Sequence, residues 1–285
     1  MGLFNIHFIE HLKKTINYCE QLTQKELELN LITTENEYTY SLLSKIRNSV
    51  QPNKTLGLFA NTTLLAQTLP ATLERTHGTD ACIILVDHDK KISKVCLFEA
   101  KIPRNRWDQK EKKSGISHFS SQLKRQHCLS KKYAIWEQFY CYGYMQPKSL
   151  INIVNNTNCK LKLPYKSLCL LHEDAYLYDQ TIQPSTWSIG DIEKVVPIYS
   201  NTNIFKPITM SGMVRHACDC RIGMPLQLNE LVDNFIDFIY VPVILLIEAS
   251  EKIIDLQLPN QLKELYSRFN SDDKKPNTDY KKPNK

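Results

Sequence analysis

The sequence has no Cys-x-x-Cys pair, although it holds nine cysteines. Their odd count and irregular spacing argue against a disulfide framework and against the usual zinc fingers and ribbons. Several sit in apolar runs (Cys82 in ACIILV, Cys96 in VCLF, Cys169 in SLCLL), where a reduced thiol behaves as a small buried hydrophobe. The exception is His216-Ala217-Cys218-Asp219-Cys220, where a structural zinc would still need a distant fourth ligand such as His172 or Cys169. A long uncharged apolar stretch is also missing. The N-terminus MGLFNIHFIEHLKK has no small-residue cleavage site. Phe235 to Ile247, the most apolar region, is broken by Asp237 and Pro242 and is too short to span a bilayer. Neither a signal peptide nor a membrane partner is expected, and the reduced thiols point to a cytoplasmic compartment. There is no internal repeat and no Pro/Gly/Ser linker to mark a domain boundary.

What is present is the composition of an ordinary folded chain: 285 residues, 42% hydrophobic and 23% charged, ample for a sizeable core. The net charge of +6 permits a polyanionic partner without requiring one. Phe4 to about Gln24 reads as an amphipathic helix with Phe8, Leu12 and Ile16 on one stripe. Thr34-Glu35-Asn36-Glu37 is a capping box opening a second helix, with Tyr38, Leu42 and Ile46 at helical spacing and Pro52 as its stop. From Asp80 the pattern turns to β: ACIILVD, a polar turn HDKK, then ISKVCLFEAKI. A basic stretch, Pro103 to Gly115, reads as an exposed loop, and Ser117 caps a third helix with Ile116, Phe119 and Leu123 on its apolar side. KYAIWEQFYCYGYM is compatible with helix or strand. Short β-like runs follow (LINIV, KSLCLL, AYLYD, VVPIY), and FIYVPVILLIEA suits a central strand or pair of strands. A last helix is expected over Gln261 to Phe269, and the tail at 271–285, almost without apolar residues, is expected to be disordered.

The pattern acidic-x-Lys occurs seven times, but six copies lie in charged loops or the tail. Only Glu99-Ala100-Lys101 is embedded in an apolar strand, where alternation puts Glu99 and Lys101 on one face. If HDKK is the hairpin loop, Asp87 pairs with Ile92, and Asp80 falls directly opposite Glu99. Opposed residues of an antiparallel pair project to the same face with Cβ atoms about 4.5–5.5 Å apart. Two carboxylates that close repel unless something positive lies between them. A hard divalent cation suits a pocket of two carboxylates, the Ala100 carbonyl, phosphate and waters. It would polarise the phosphate and lower the pKa of a bound water, with Lys101 placed to orient that water or to neutralise developing charge.

His-Gly-Thr-Asp80 followed by Phe98-Glu99-Ala100-Lys101, with 18 residues between Asp80 and Glu99, resembles the PD-(D/E)xK nuclease superfamily, to which restriction endonucleases belong. The resemblance covers about residues 34 to 130. It implies an α/β fold with a restriction-endonuclease-like core, a mixed central β-sheet flanked by helices. By the same resemblance Glu37 on the second helix and Gln122 on the helix after the ExK strand match the family's acidic and glutamine positions. Thr79 stands where the family often has proline. The implied catalytic set is Asp80, Glu99, Lys101 and Gln122. The implied metal set is Glu37, Asp80, Glu99 and Ala100, holding Mg²⁺ or Mn²⁺.

The implied activity is endonucleolytic hydrolysis of phosphodiester bonds, in DNA before RNA, with Arg104, Arg106, Lys110, Lys124 and Arg125 on the nucleic-acid backbone. His77 and His118 would be accessory, and a homodimer is left open. The expected organisation is an N-terminal helical region over 1–33, the nuclease core over 34–150, and a sheet extension or recognition region over 151–270. Each residue has a plainer role beside this one. Glu37 completes a capping box, Asp80 could serve a turn, Glu99 and Lys101 a surface salt bridge, Gln122 a solvated helix face, and Lys124 and Arg125 a solvated helix end. A catalytically inactive nucleic-acid-binding or protein-interaction module of the same fold is the alternative of another class.

Overall fold

The hairpin carrying the acidic residues forms as two antiparallel strands, β2 (Ala81–Asp87) and β3 (Ile92–Lys101), in the register set by its turn: Ala81 pairs with Phe98 and Asp87 with Ile92. The computed structural model describes residues 2–50, 58–69, 78–103, 106–140, 167–195, 209–252 and 257–272. Around the hairpin a sheet is built in the order β1-β7-β2-β3-β4-β5, with β1 (Phe59–Ala66), β4 (Ala134–Phe139), β5 (Leu168–Leu171) and β7 (Val243–Ser250). A short β6 (Leu226–Gln227) pairs with the start of β3. β7 runs parallel to β2 and antiparallel to β1, while β4 is parallel to β3 and antiparallel to β5. The protein is therefore α/β with a mixed open central sheet flanked by helices.

All of β2, β4 and β7 is buried, which is why ACIILVD and VILLIEAS read as continuous apolar runs instead of alternating ones. One face packs on α1 (Ile6–Glu28), α2 (Glu35–Ser49) and α6 (Met210–Cys218) through Leu12, Ile16, Leu42, Ile46 and Met213. The other face, with Ile84, Leu97 and Leu246, is covered by α7 (Leu228–Asp233), a 3₁₀ turn at Phe235–Phe238 and α8 (Gln257–Asp272). A third cluster joins β4 and β5 to α3 (His118–Ser130), α4 (His172–Ile182) and α5 (Ile189–Val195), with Phe119, Phe139 and Trp187 at its centre. Among the described residues no helix is long and apolar enough to cross a membrane.

The ambiguous aromatic segment is strand β4 over Ala134–Phe139. AYLYD, read as β-like, lies instead in helix α4: Glu173 and Asp174 in its first turn favour the positive helix end, and Ala175 and Tyr178 are buried one turn apart. FIYVPVILLIEA divides into the 3₁₀ turn and one strand. The last helix starts at Gln257, earlier than its apolar pattern suggests. β7, from the C-terminal part of the chain, lies between β1 and β2. Phe8, Leu12 and Ile16 of α1 enter the same core as β2 and β3. Pro52, His77, Arg104, LINIV, most of VVPIY and the tail from 273 lie outside the described residues.

β7 is the strand on which the sheet's continuity depends, so emptying its core face should be costly. Leu245→Ala is expected to lose about 2–5 kcal/mol in urea unfolding, and a loss below about 1 kcal/mol would contradict the packing described.

Candidate functional site

The site forms where β2 begins and β3 ends. Asp80 N–H donates to the carbonyl of Phe98, the ladder partner of Ala81, at 3.0 Å, so Asp80 lies just past the end of the paired strands, near enough to Glu99 to raise that carboxyl's pKa. Asp80 Oδ2 then accepts the Ala100 amide at 2.8 Å. An N–H and a C=O of one strand residue leave on the same side, so the Ala100 carbonyl also points toward β2 and Asp80. Lys101 Nζ and Gln122 Nε2 both donate to Glu99 Oε1, the lysine from the same strand and the glutamine from α3. The structure thus brings Asp80, Glu99, Ala100, Lys101 and Gln122 together at one end of the sheet.

Glu37 is not among them. Its Oε2 accepts the Thr33 and Thr34 amides at 2.8 and 3.1 Å, while Thr34 Oγ1 accepts the Glu37 amide at 3.2 Å. These N–H donors hold its carboxyl below the usual glutamate range, and the side chain stays in solvent. The acidic residue of α2 that faces the site is Glu35, whose Oε1 accepts the Ile102 amide at 2.8 Å, just past the ExK strand. The capping box itself carried this signal: a glutamate used to close the box turns back toward the N-cap, which leaves Glu35 for the sheet.

Behind Glu99 lies a polar layer that no motif in the sequence marks. Glu137 on β4 is in register with Glu99, and His172 Nδ1 lies 3.0 Å from Glu137 Oε1 and 3.1 Å from Gln126 Oε1. Gln126, one turn after Gln122, donates through Nε2 to the Gly78 carbonyl. Gly78 has φ +65°, and an added Cβ would lie 3.3 Å from Gln122 Cα and its carbonyl oxygen. The chain entering Asp80 is thus pressed onto α3 at a position that suits glycine.

Electrostatics follow from burial. Burial pushes the Glu99 carboxyl well above the glutamate range, Asp80 pushes further, and Lys101 opposes without prevailing. Burial likewise raises Asp80, against Lys101 and the Ala100 amide. For Lys101 burial disfavours the ammonium, but Glu99, Asp80 and Glu35 outweigh it and hold its pKa above the usual lysine range. One lysine faces more negative charge than it can balance.

The basic residues are less concentrated. Arg106 and Lys110 are exposed on the loop before α3, Lys124 is exposed on α3 itself, and Arg125 is half-buried there. The loop is not wholly solvated: Trp107 packs edge-on against Phe119 and Phe139 at 5.2 and 5.5 Å. Asp108 is buried, accepting from Ser117 Oγ and from the Phe119 and Trp187 amides at 2.7, 3.1 and 2.6 Å. His118 faces Glu111 at 4.0 Å. Ile116, expected on the buried side of α3, is 42% exposed.

Among the described residues no group of three or more His, Cys, Asp or Glu side chains is placed to hold a metal ion. The zinc considered at His216, Cys218 and Cys220 has no fourth partner in His172, which is bonded to Glu137 and Gln126, or in Cys169, buried in the core. No family model, curated protein or solved structure matches this chain.

Glu37→Ala should lower the melting temperature by loosening α2, and an unchanged Tm would contradict its part in the cap. The raised Glu99 pKa means that the folded state holds this proton more tightly than the unfolded chain does. In EDTA, stability should therefore be fully present below the ordinary glutamate range and decline as pH rises from there toward the folded value. Tm against pH should show this decline in the wild type and a smaller one in Glu99→Gln, where only the raised Asp80 carboxyl still contributes.

Proposed function

We propose that this chain is a divalent-metal-dependent nuclease with a restriction-endonuclease-like core, hydrolysing phosphodiester bonds in DNA. The observation that carries the reading is the neighbouring pair Asp80 and Glu99, a half-buried and a buried carboxylate, with the Lys101 ammonium bonded to Glu99 and close to Asp80. The element order supports it as well: a helix with an acidic residue at the site, the Asp strand, the ExK strand, then a helix bearing a glutamine that reaches the ExK glutamate. Glu35 takes the helix position that the resemblance assigned to Glu37.

The donor set fits a hard cation. Asp80, Glu99 and the Ala100 carbonyl offer oxygen only, and Mg²⁺ binds through one or two carboxylates plus substrate phosphate and several waters, so a cage of three side chains is not required. When bound, Mg²⁺ or Mn²⁺ would polarise the phosphate and generate a nucleophilic water. The chain's own residues do the rest. Lys101 brings a charge that burial does not neutralise, placed to stabilise negative charge developing on the phosphate oxygens. Gln122 fixes the Glu99 carboxylate from one side while Lys101 holds it from the other. Ala100 N–H orients Asp80, leaving Oδ1 for a second partner. Arg106, Lys110, Lys124 and Arg125 lie on the loop and helix that border the site and would contact backbone phosphates.

The test is cleavage of supercoiled plasmid, linear duplex, single-stranded DNA and RNA with Mg²⁺, Mn²⁺ or EDTA. Asp80→Ala and Glu99→Ala should abolish metal-dependent cleavage while nucleic-acid binding survives. Lys101→Ala should reduce the rate by about a hundredfold or more and leave Mn²⁺ affinity in place. Full activity in Glu99→Ala, or no cleavage of any substrate by the wild type, would leave a nucleic-acid-binding or protein-interaction module instead. Neutralising Lys124 and Arg125 should reduce the slope of log affinity against log salt by about one for every phosphate that is no longer neutralised.

A further inference from the structure

The sheet end that carries Asp80 also opens into a cleft of about 590 Å³ between the N-terminal half of α2 and the ends of β1 and β7. Asn36, Thr39, Tyr40, Gln67 and Thr68 line it, and Asp80 stands in its wall, so the cleft and the carboxylate pair share a residue. Its chemistry differs from that of the α3 side. Among the described residues no lysine or arginine lines it, so these walls offer nothing to neutralise a phosphate. They offer instead an aromatic ring, amides and hydroxyls, the groups that hold an uncharged planar ligand with polar edges.

The lining is partly built in advance. Asn36 and Tyr40 are one turn apart on α2 and both exposed, so ring and amide project on the same side of the helix. Tyr40 is 50% exposed. Thr39 between them is fixed, its hydroxyl donating to the Glu35 carbonyl and meeting Tyr140 Oη, each at 2.9 Å. On the opposite wall Gln67 Nε2 donates to the Ile239 and Val241 carbonyls at 2.6 and 3.2 Å, which holds that side chain in place. The volume lies within the range of pockets that enclose a small ligand, roughly 300–1,000 Å³.

We propose that this cleft receives one unpaired nucleobase of the nucleic acid whose backbone crosses Asp80 and Glu99. The inference rests on the nuclease reading for its orientation, and it adds a substrate class: the site acts at unpaired nucleotides in preference to intact duplex. A base within a duplex is stacked on its neighbours and cannot enter a cleft unless extruded, whereas a single strand presents its bases freely. Stacking on Tyr40 tolerates any base, because every base has a π-face, so strand state and not sequence is what the cleft selects. Phosphates on either side of the seated base then lie outside it, one of them toward Lys101 and α3.

The experiment reads binding and cleavage separately, on the full chain. In EDTA, 2-aminopurine placed in turn along a short single-stranded oligonucleotide should be quenched at one position when the protein binds. The matching blunt duplex should show no quenching, and a duplex with one bulged base should regain it. Tyr40→Ala should weaken single-strand binding by about tenfold, the loss typical of one base–aromatic stack. Tyr40→Phe should retain it, and duplex affinity should change in neither variant. Quenching in the wild type does not depend on how the variants fold. Equal affinity for single strand and duplex, or absence of position-specific quenching, overturns the proposal even if metal-dependent cleavage is observed. Quenching at one position with no cleavage of any substrate supports the cleft assignment and overturns the nuclease reading alone.

Discussion

Two carboxylates held close together at the end of a buried hairpin set the terms for everything around them. Taking one carboxylate out of water is expensive, and placing a second beside it adds repulsion that a single lysine balances only in part. A chain that folds this way gives up stability at one spot, and such spots are where function is found. The surrounding structure is arranged so that the pair cannot move apart. The β2–β3 register fixes the backbones, the Ala100 amide holds Asp80, and Lys101 and Gln122 hold Glu99 from two directions.

The supporting layers extend this logic outward. Gln122 and Gln126 are one turn apart on α3, one reaching Glu99 and the other the Gly78 carbonyl that leads into Asp80. A single helix thereby positions both carboxylates, one directly and one through the backbone. His172 and Glu137 fix Gln126 in turn, so α4 and β4 contribute to a site they do not line. On the opposite side α2 brings Glu35 to the Ile102 amide, and Thr39 ties the helix to Tyr140 beyond β4. Removing any one tie leaves the carboxylates buried but less well aimed.

Much of this was legible in the sequence where local rules determine the answer. The turn HDKK fixed the pairing sum of the hairpin from Asp87–Ile92 to Ala81–Phe98, and alternation along β3 put Glu99 and Lys101 on one face. The Thr34 capping box was readable for the same reason, since its partners are neighbours in the chain. Glu37 was misassigned because its local role and its supposed distant role compete for one carboxylate, and the local partners, three residues away, win. The Glu137–His172–Gln126 layer depends on contacts 35 and 46 residues apart, and no periodicity marks such a contact. AYLYD failed as a strand because short apolar runs fit either period, and only packing against α3 and β4 decides between them.

The place of β7 has a consequence for how the chain reaches this structure. β1 and β2 are separated in space by a strand that is made more than 150 residues later than β2, at Val243–Ser250. During vectorial synthesis the hairpin can close as soon as it emerges, because its contacts are local. Yet β2 keeps an edge that is apolar from Ala81 to Val86 open until β7 arrives, and until then β1 has no neighbour among the described strands. Contact order is therefore high where the sheet is most buried, which slows the final step and prolongs exposure of an edge that other chains could pair with. The geometry around the paired carboxylates is local and early, whereas its permanence waits on the last strand to be threaded.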